Sequence, residues 1–457
     1  MNIERNVRTG PSRPVRILSA LKPAAAIVMA ATMGAAPAYA ADGASPAVPV
    51  QAATMLGQGL NDFYEARRDA PLWFAQPGRQ AATLIQLLRT AQLDGLDPGK
   101  YQLAEIEKAV REAGSGKAKA VRRADMLLSQ AFVEYVHDLR TPGQTGTLYV
   151  DADLRPKAPT DRAILLTASQ APSLEQYVAN MAWMHPFYSQ LRRALGSGAY
   201  TPEQQDLLRV NLERARELPV GKTRYVLVNA AAQRLYMYEG GAVIDSMRVV
   251  VGKPKYPTPI MTAYIRFAAL NPYWYVPADL TAERIAPNVV KLGLPYLDRQ
   301  GYQVVSDFVD NPTIIDPSTI DWKAVADGKL NILVRQLPGP YNSMGRIKFM
   351  FPNSEGVYLH DNPERELFEQ AARLYSGGCV RLEDAWRLSH WLFGRDLTWE
   401  GAAPEERVML EKRVPVYITY LPAIPDGSNI AFLDDVYKRD ATRVAQFHEG
   451  GGNLAAN

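Results

Sequence analysis

A single cysteine, Cys379, stands in a chain of 457 residues, within the stretch YSGGCVRL. Nineteen residues earlier, the stretch GVYLHDNP carries His360. A lone cysteine is ordinarily a small buried hydrophobe. A thiol near an imidazole is also a nucleophile and base suited to acyl transfer, because the thiolate is the reactive form and histidine can take its proton. Gly377 and Gly378 let the backbone turn tightly, so the amides of Gly378 and Cys379 can point at a developing oxyanion. The thiol is expected just ahead of a helix starting near Glu383, whose N-terminus would favour a thiolate. Arg381 offers a planar guanidinium suited to a carboxylate. Asp361 can orient His360 through its backbone carbonyl or its carboxylate.

The other four histidines have plainer readings. His137 lies in a helical stretch, His185 precedes Pro186, His390 sits on the helical LEDAWRLSHWLFG, and His448 is near the C-terminus. One Cys and one nearby His fall short of the three or four ligands of a usual metal site, so no metal is expected. HExxH, a Walker A loop and a dinucleotide fingerprint are all missing from the sequence, and no cofactor is expected.

Strands and turns must position these residues. Along GVYLH, side chains alternate, which puts His360 and Tyr358 on one face and Val357 and Leu359 on the other. From 222 onward the sequence reads as strands, beginning with RYVLVNAAAQRLYMYEGGAVIDSMRVVVG and its Gly240-Gly241 hairpin turn. Residues 51–220 instead show apolar residues at helical spacing, as in AATLIQLLRTAQLDGLDP and TPEQQDLLRVNLERARELP. The expected fold class is α+β: an N-terminal helical scaffold domain, then a mainly β catalytic domain over 221–437. A less regular stretch at 278–329 is expected as an inserted cap. Residues 438–457, polar and glycine-rich, are expected to be a disordered tail.

The N-terminus is of another kind. Arg5, Arg8, Arg13, Arg16 and Lys22 precede the apolar PAAAIVMAATMGAAPAYA, which ends in a small-x-small cleavage pattern. Residues 1–40 therefore read as a signal peptide and 41–50 as a linker, with the mature chain exported to the periplasm. The apolar run is shorter than a membrane span of roughly 20 residues. Removing residues 1–40 takes away five basic residues and one acidic one, so the net charge of +3 falls to −1. A near-neutral mature chain gives no reason to expect nucleic acid as a partner. Hydrophobic content of 47% and charged content of 22% fit a soluble globular protein, free or peripherally attached to the envelope. In an oxidising space one cysteine cannot pair within its chain and is exposed to oxidation, which argues that it is kept for chemistry.

VYLHDNP followed by YSGGCVR resembles the signature of YkuD-type L,D-transpeptidases. VVVGKPKYPTP, LNPYWYVP, RQLPGPYNSMGRIKFMFPN and DDVYKRD resemble the larger YcbB-like branch, and FYEARRDAPLWF and LLRTAQLDGLDP its helical scaffold. The resemblance implies that Cys379 attacks a peptidoglycan stem peptide and forms a thioacyl enzyme, with His360 managing the protons. Arg381 and Ser376 would orient the site and substrate, and an amine on a second stem would close a 3-3 or 1-3 cross-link. Carbapenems would acylate the same thiol. Two departures stand out. Gly377 replaces the His or Ser common in the family, which bears on substrate choice, and there is no room for a separate peptidoglycan-binding module. Trp274, Tyr358 and Tyr341 are expected to line the cleft, although aromatic residues on strands are as often core. Two other readings stay open: hydrolysis of stems by the same thioacyl route, as an L,D-carboxypeptidase or endopeptidase, and a non-catalytic wall-binding scaffold.

Overall fold

The computed structural model describes residues 59–449, apart from 76, 77, 142, 144 and 310. The expected signal peptide and linker lie outside the described residues. Helices cover 59–66, Gln80–Arg89, Leu103–Ala113, Ala118–Arg140, Asp161–Ser169, Leu174–Ala179, Pro186–Gly196 and Pro202–Ala215. The last begins as TPEQQ requires. The Thr201 hydroxyl accepts from the Gln204 amide at 3.3 Å, and the Gln204 side chain accepts from the Thr201 amide at 3.1 Å. Trp73, Phe132, Tyr135 and Tyr188 fill the core between these helices. Asp94 is buried among them with its carboxylate satisfied, because the hydroxyls of Tyr135 and Tyr188 donate to it at 2.6 and 2.7 Å and Arg192 Nε at 2.8 Å.

His185, 1% exposed, sits where this half meets the β domain. Its Nδ1 accepts from the Phe187 amide at 3.1 Å, and Nε2 lies 3.2 Å from the Tyr225 hydroxyl. Burial pushes its pKa down to about 3. Between that value and its ordinary one of about 6.5, the unfolded chain binds a proton that the native chain refuses. Stability therefore rises with pH across this window, and His185 removes up to about 1.4 kcal/mol per pH unit as the pH falls. A His185→Asn variant is expected to flatten the acid slope of urea-unfolding free energy between pH 6.5 and 4.5. A slope equal to the wild type's would contradict this account.

The main sheet is built from β1 (Leu148–Tyr149), β2 (Tyr225–Asn229), β3 (Arg234–Glu239), β4 (Ala242–Gly252) and β5 (Met261–Leu270). A smaller sheet follows, from β6 (Trp274–Val276), β7 (Tyr302–Val305), β8 (Ile314–Ile315) and β9 (Leu333–Gln336). The chain returns to the main sheet with β10 (Ile347–Met350), β11 (Leu359–His360), β12 (Leu374–Ser376), β13 (Val380–Leu382) and β14 (Glu406–Thr419). Hairpin β15 (Ala423–Asp426) and β16 (Asn429–Phe432) ends the strands. The order in the main sheet is β1-β5-β10-β11-β13-β4-β3-β2-β14, and β14 also pairs with β5, closing the ladder on itself. Gly240 and Gly241 turn β3 into β4 with φ of 64° and 88°, a conformation that favours glycine.

Strand β2 shows why the two halves form one body. Every residue of YVLVN is buried. Tyr225 and Leu227 face the helical core, while Val226 and Val228 face the core beneath the sheet. The boundary near 220 is not clean, because β1, from the helical half, pairs in parallel with β5. The inserted segment is also larger than 278–329. It starts with β6, ends with β9, and has its own core of Trp274, Val276, Leu280, Val304, Trp322 and Val334 among others.

The expectation of disorder from 438 is corrected as far as Glu449, and residues 450–457 lie outside the described residues. Residues Arg439–Glu449 form a helix. Asp440 is fully buried, ion-paired with Arg214 and accepting from Asn211 Nδ2 at 2.8 Å, so the start of this helix is clamped to the helix Pro202–Ala215. These partners lie more than 200 residues away, beyond what local composition can show.

Candidate active site

Strands β11 and β13 are parallel neighbours with Leu359 opposite Val380 and His360 opposite Arg381. Parallel strands need a crossover, and the eighteen residues between His360 and Cys379 supply it. Leu359, Val380 and Leu382 point into the core. Alternation puts His360 and Arg381 on the other face, and Cys379, one residue before β13, comes to that face too. His360 and Cys379 are 0% and 1% exposed, so a thiolate–imidazolium pair would be shielded from bulk water. His360 Nδ1 lies 2.6 Å from the carbonyl oxygen of Asp361, and Cys379 Sγ lies 3.7 Å from that of Gly356. A carbonyl can only accept, so Nδ1 carries the proton and Nε2 is the basic nitrogen.

This decides between the two roles open to Asp361. Its backbone orients His360, while its carboxylate accepts from the Arg346 amide at 3.0 Å and Arg365 Nη2 at 2.9 Å. Gly345, with φ 65°, is required beside it, since a Cβ there would meet Asp361 Oδ2 at 2.4 Å. An Asp361→Asn variant is accordingly expected to keep activity within roughly threefold of wild type, while losing about 1 kcal/mol of stability. A thousandfold loss of turnover in a folded Asp361→Asn protein would show that the carboxylate acts on His360 after all.

The turn carrying the thiol is held from within. Ser376 Oγ donates to the Cys379 carbonyl at 2.5 Å and accepts from the Gly378 amide at 3.1 Å. Gly378 has φ of 120°, open to glycine alone in practice. The Gly378 amide is thus engaged by Ser376 and is not aimed at an oxyanion, contrary to the expectation from its position. Ser376, fully buried, shapes the turn instead of meeting substrate. A further difference concerns the helix after the thiol. It begins at Ala385, and β13 intervenes, so Cys379 does not sit at a helix N-terminus.

Arg381 also departs from expectation. Its guanidinium is 1% exposed and donates to Glu364 Oε2 at 2.7 Å and Asn362 Oδ1 at 3.0 Å. The carboxylate it serves is an internal one. Glu364 and Asn362 carry no local signal beyond following the His-Asp pair. Lys253 is another residue that the motifs did not single out. Burial, then the neighbouring Arg284 and Arg381 charges, lower its pKa.

A cleft of about 630 Å³ opens at Gly377 and Gly378. Lys255, Tyr256, Pro257 and Arg439 line it together with Pro277, Asp279 and Phe308 of the inserted segment. Its size suits a short peptide, and both signs of charge are present. Three aromatic residues expected to line it do not. Trp274 is 3% exposed in the core of the inserted segment, Tyr358 is 5% exposed with its ring against Phe351, and Tyr341, though 66% exposed, lies away from the cleft walls. Among the described residues, no group of three or more His, Cys, Asp or Glu is placed to hold a metal ion, and no helix is long and apolar enough to cross a membrane.

The chain is similar to known proteins over both of its halves. Residues 223–418 match the family YkuD, described as the L,D-transpeptidase catalytic domain, and residues 58–195 match a scaffold domain. A protein of Haemophilus influenzae named "Putative L,D-transpeptidase" is 28% identical over 395 residues, which cover 83% of this chain and 78% of that one. Among solved structures, an L,D-transpeptidase from Mycobacterium smegmatis is 17% identical over 44% of this chain and 60% of its own, with a TM-score of 0.21. L,D-transpeptidase 3 from Mycobacterium tuberculosis, solved with a faropenem-derived adduct, is 12% identical over 45% of this chain and 65% of its own, with a TM-score of 0.20. In both cases the match spans less than two thirds of the solved chain.

Proposed function

As the chain carries a YkuD L,D-transpeptidase catalytic domain behind a scaffold domain, we propose that it cross-links peptidoglycan stem peptides through a thioacyl enzyme on Cys379. The observation that carries this reading is His360, buried on the strand beside the nucleophile's, with Nδ1 fixed by the Asp361 carbonyl. Nε2 takes the thiol proton, and the sulfur attacks the carbonyl of the L-centre of a donor stem. The tetrahedral oxyanion collapses, the C–N bond breaks, and the departing amine receives the proton from His360. An amine of an acceptor stem then attacks the thioester and gives its proton to His360. The new amide forms as the thiolate leaves. One amide is exchanged for another, so no energy source or cofactor is required. The same thioester chemistry makes Cys379 the site of acylation by carbapenems. The basic-then-apolar leader ending at Ala40 supports export, which would bring the enzyme to its polymer in the periplasm.

The test is mass spectrometry of digested peptidoglycan after incubation with the mature wild type and with Cys379→Ala. Cross-linked dimers made only by the wild type are expected, and fragmentation assigns them as 3-3 or 1-3. Trimmed stems without dimers would make the acceptor water. A folded wild type that changes nothing would overturn the catalytic reading.

A further inference from the structure

Thr258 is fully buried in the loop between β4 and β5, outside the two motifs that carry the chemistry. Its hydroxyl accepts from the Gly252 amide and donates to the carbonyl of Gly378, both at 2.9 Å. Gly378 is the residue immediately before the nucleophile. The loop is packed so closely that a Cβ on Gly252 would meet the Tyr256 carbonyl oxygen at 2.0 Å. It is tied to the same turn a second time, where the Lys253 amide donates to the Ser376 carbonyl at 3.0 Å. The segment 437–440 holds the loop as well. The Tyr437 hydroxyl donates to the Gly252 carbonyl at 2.6 Å, and Arg439 Nη2 donates to the Thr258 carbonyl at 2.9 Å. Arg439 is followed by Asp440, which is clamped to Arg214 and Asn211 of the helix Pro202–Ala215.

We propose that Thr258 is a positioning residue for Cys379, and that the C-terminal segment acts on the nucleophile through it. A glycine at φ 120° has few contacts of its own to fix its peptide plane. The Thr258 hydroxyl supplies that restraint on the carbonyl side, while Ser376 supplies it on the amide side. Without it the turn gains freedom, and the sulfur spends less time aligned with His360 Nε2 and the cleft. Misplacement of a reacting atom by about 1 Å can cost on the order of 100-fold in rate. The proposal rests on the reading of Cys379 as the nucleophile, but its test needs no stem peptide.

Because Cys379 is the only cysteine in the sequence, iodoacetamide alkylation followed by intact mass reads its reactivity alone. The mature chain would be compared with Thr258→Val, Thr258→Ser and Tyr437→Phe, each checked for a cooperative melting curve. Thr258→Val is expected to lower the alkylation rate at pH 7 by roughly 10- to 100-fold. Thr258→Ser, which keeps the hydroxyl, should return it to within about twofold of wild type, a rescue that a purely space-filling role would not give. Tyr437→Phe should lower it by about threefold, which keeps the idea testable if the valine variant does not fold. Wild-type rates in folded Thr258→Val, or in Tyr437→Phe should the valine variant fail to fold, would overturn the proposal. Failure of the wild type to make cross-links would count against transpeptidation and leave this result standing.

Discussion

Cys379→Ser is expected to make no cross-linked dimers and to form no adduct with a carbapenem, a loss on the order of 10,000-fold or more in turnover. A serine hydroxyl differs from the thiol mainly in acidity and polarisability. A neutral imidazole can take a proton from a thiol, a few per cent of which is already thiolate at neutral pH, far more readily than from an alcohol. The site adds little to help an alcohol. Gly378, one of two expected oxyanion donors, is engaged by Ser376, and His360 Nδ1 is oriented by a neutral carbonyl. Muropeptide mass spectrometry reads the first loss and intact mass after carbapenem exposure reads the second. The variant should melt near the wild type, because Cys379 is small and its neighbours are held by strand pairing. Dimers made by Cys379→Ser at a tenth of the wild-type rate would mean that the nucleophile is misassigned.

The second large effect falls on stability. Glu364→Ala is expected to cost about 3 kcal/mol or more in urea unfolding, because it leaves the buried Arg381 guanidinium without the carboxylate 2.7 Å away. Glu364 is 28% exposed and Arg381 1%, so water can reach the space left behind only on one side, which sets the figure at the lower end of the range for broken buried pairs. Asn362 Oδ1 remains as an acceptor at 3.0 Å but carries no charge. Combining Glu364→Ala with Arg381→Met should recover part of the loss, since the desolvated charge is removed with its partner. If Arg381 instead served mainly to bind a substrate carboxylate, Glu364→Ala would leave the melting curve in place and raise KM. Unfolding free energies within 0.5 kcal/mol of wild type would refute the structural role.

The two effects separate what neighbours along the chain reveal from what distant partners decide. Sequence by itself singled out Cys379 and His360 as candidate nucleophile and base, and the glycine turn that leads into the thiol. Thiol and imidazole chemistry depends on residue type, and the glycine run and the strand pattern of GVYLH are local properties of φ, ψ and alternation. The helical half was legible for the same reason: its apolar spacing and the Thr201–Gln204 cap lie within one or two turns. Tertiary structure alone decided which carboxylate Arg381 meets, which amide Ser376 engages, and that Asp361 acts through its backbone. It also put Trp274 in a core instead of the cleft and folded Arg439–Glu449, part of a stretch that composition marks as disordered. Each of these is a choice among partners separated in sequence, as Asp440 is from Arg214. A charged or aromatic side chain has the same propensity whichever partner it finds, and only the packed fold excludes water from one pairing and not another.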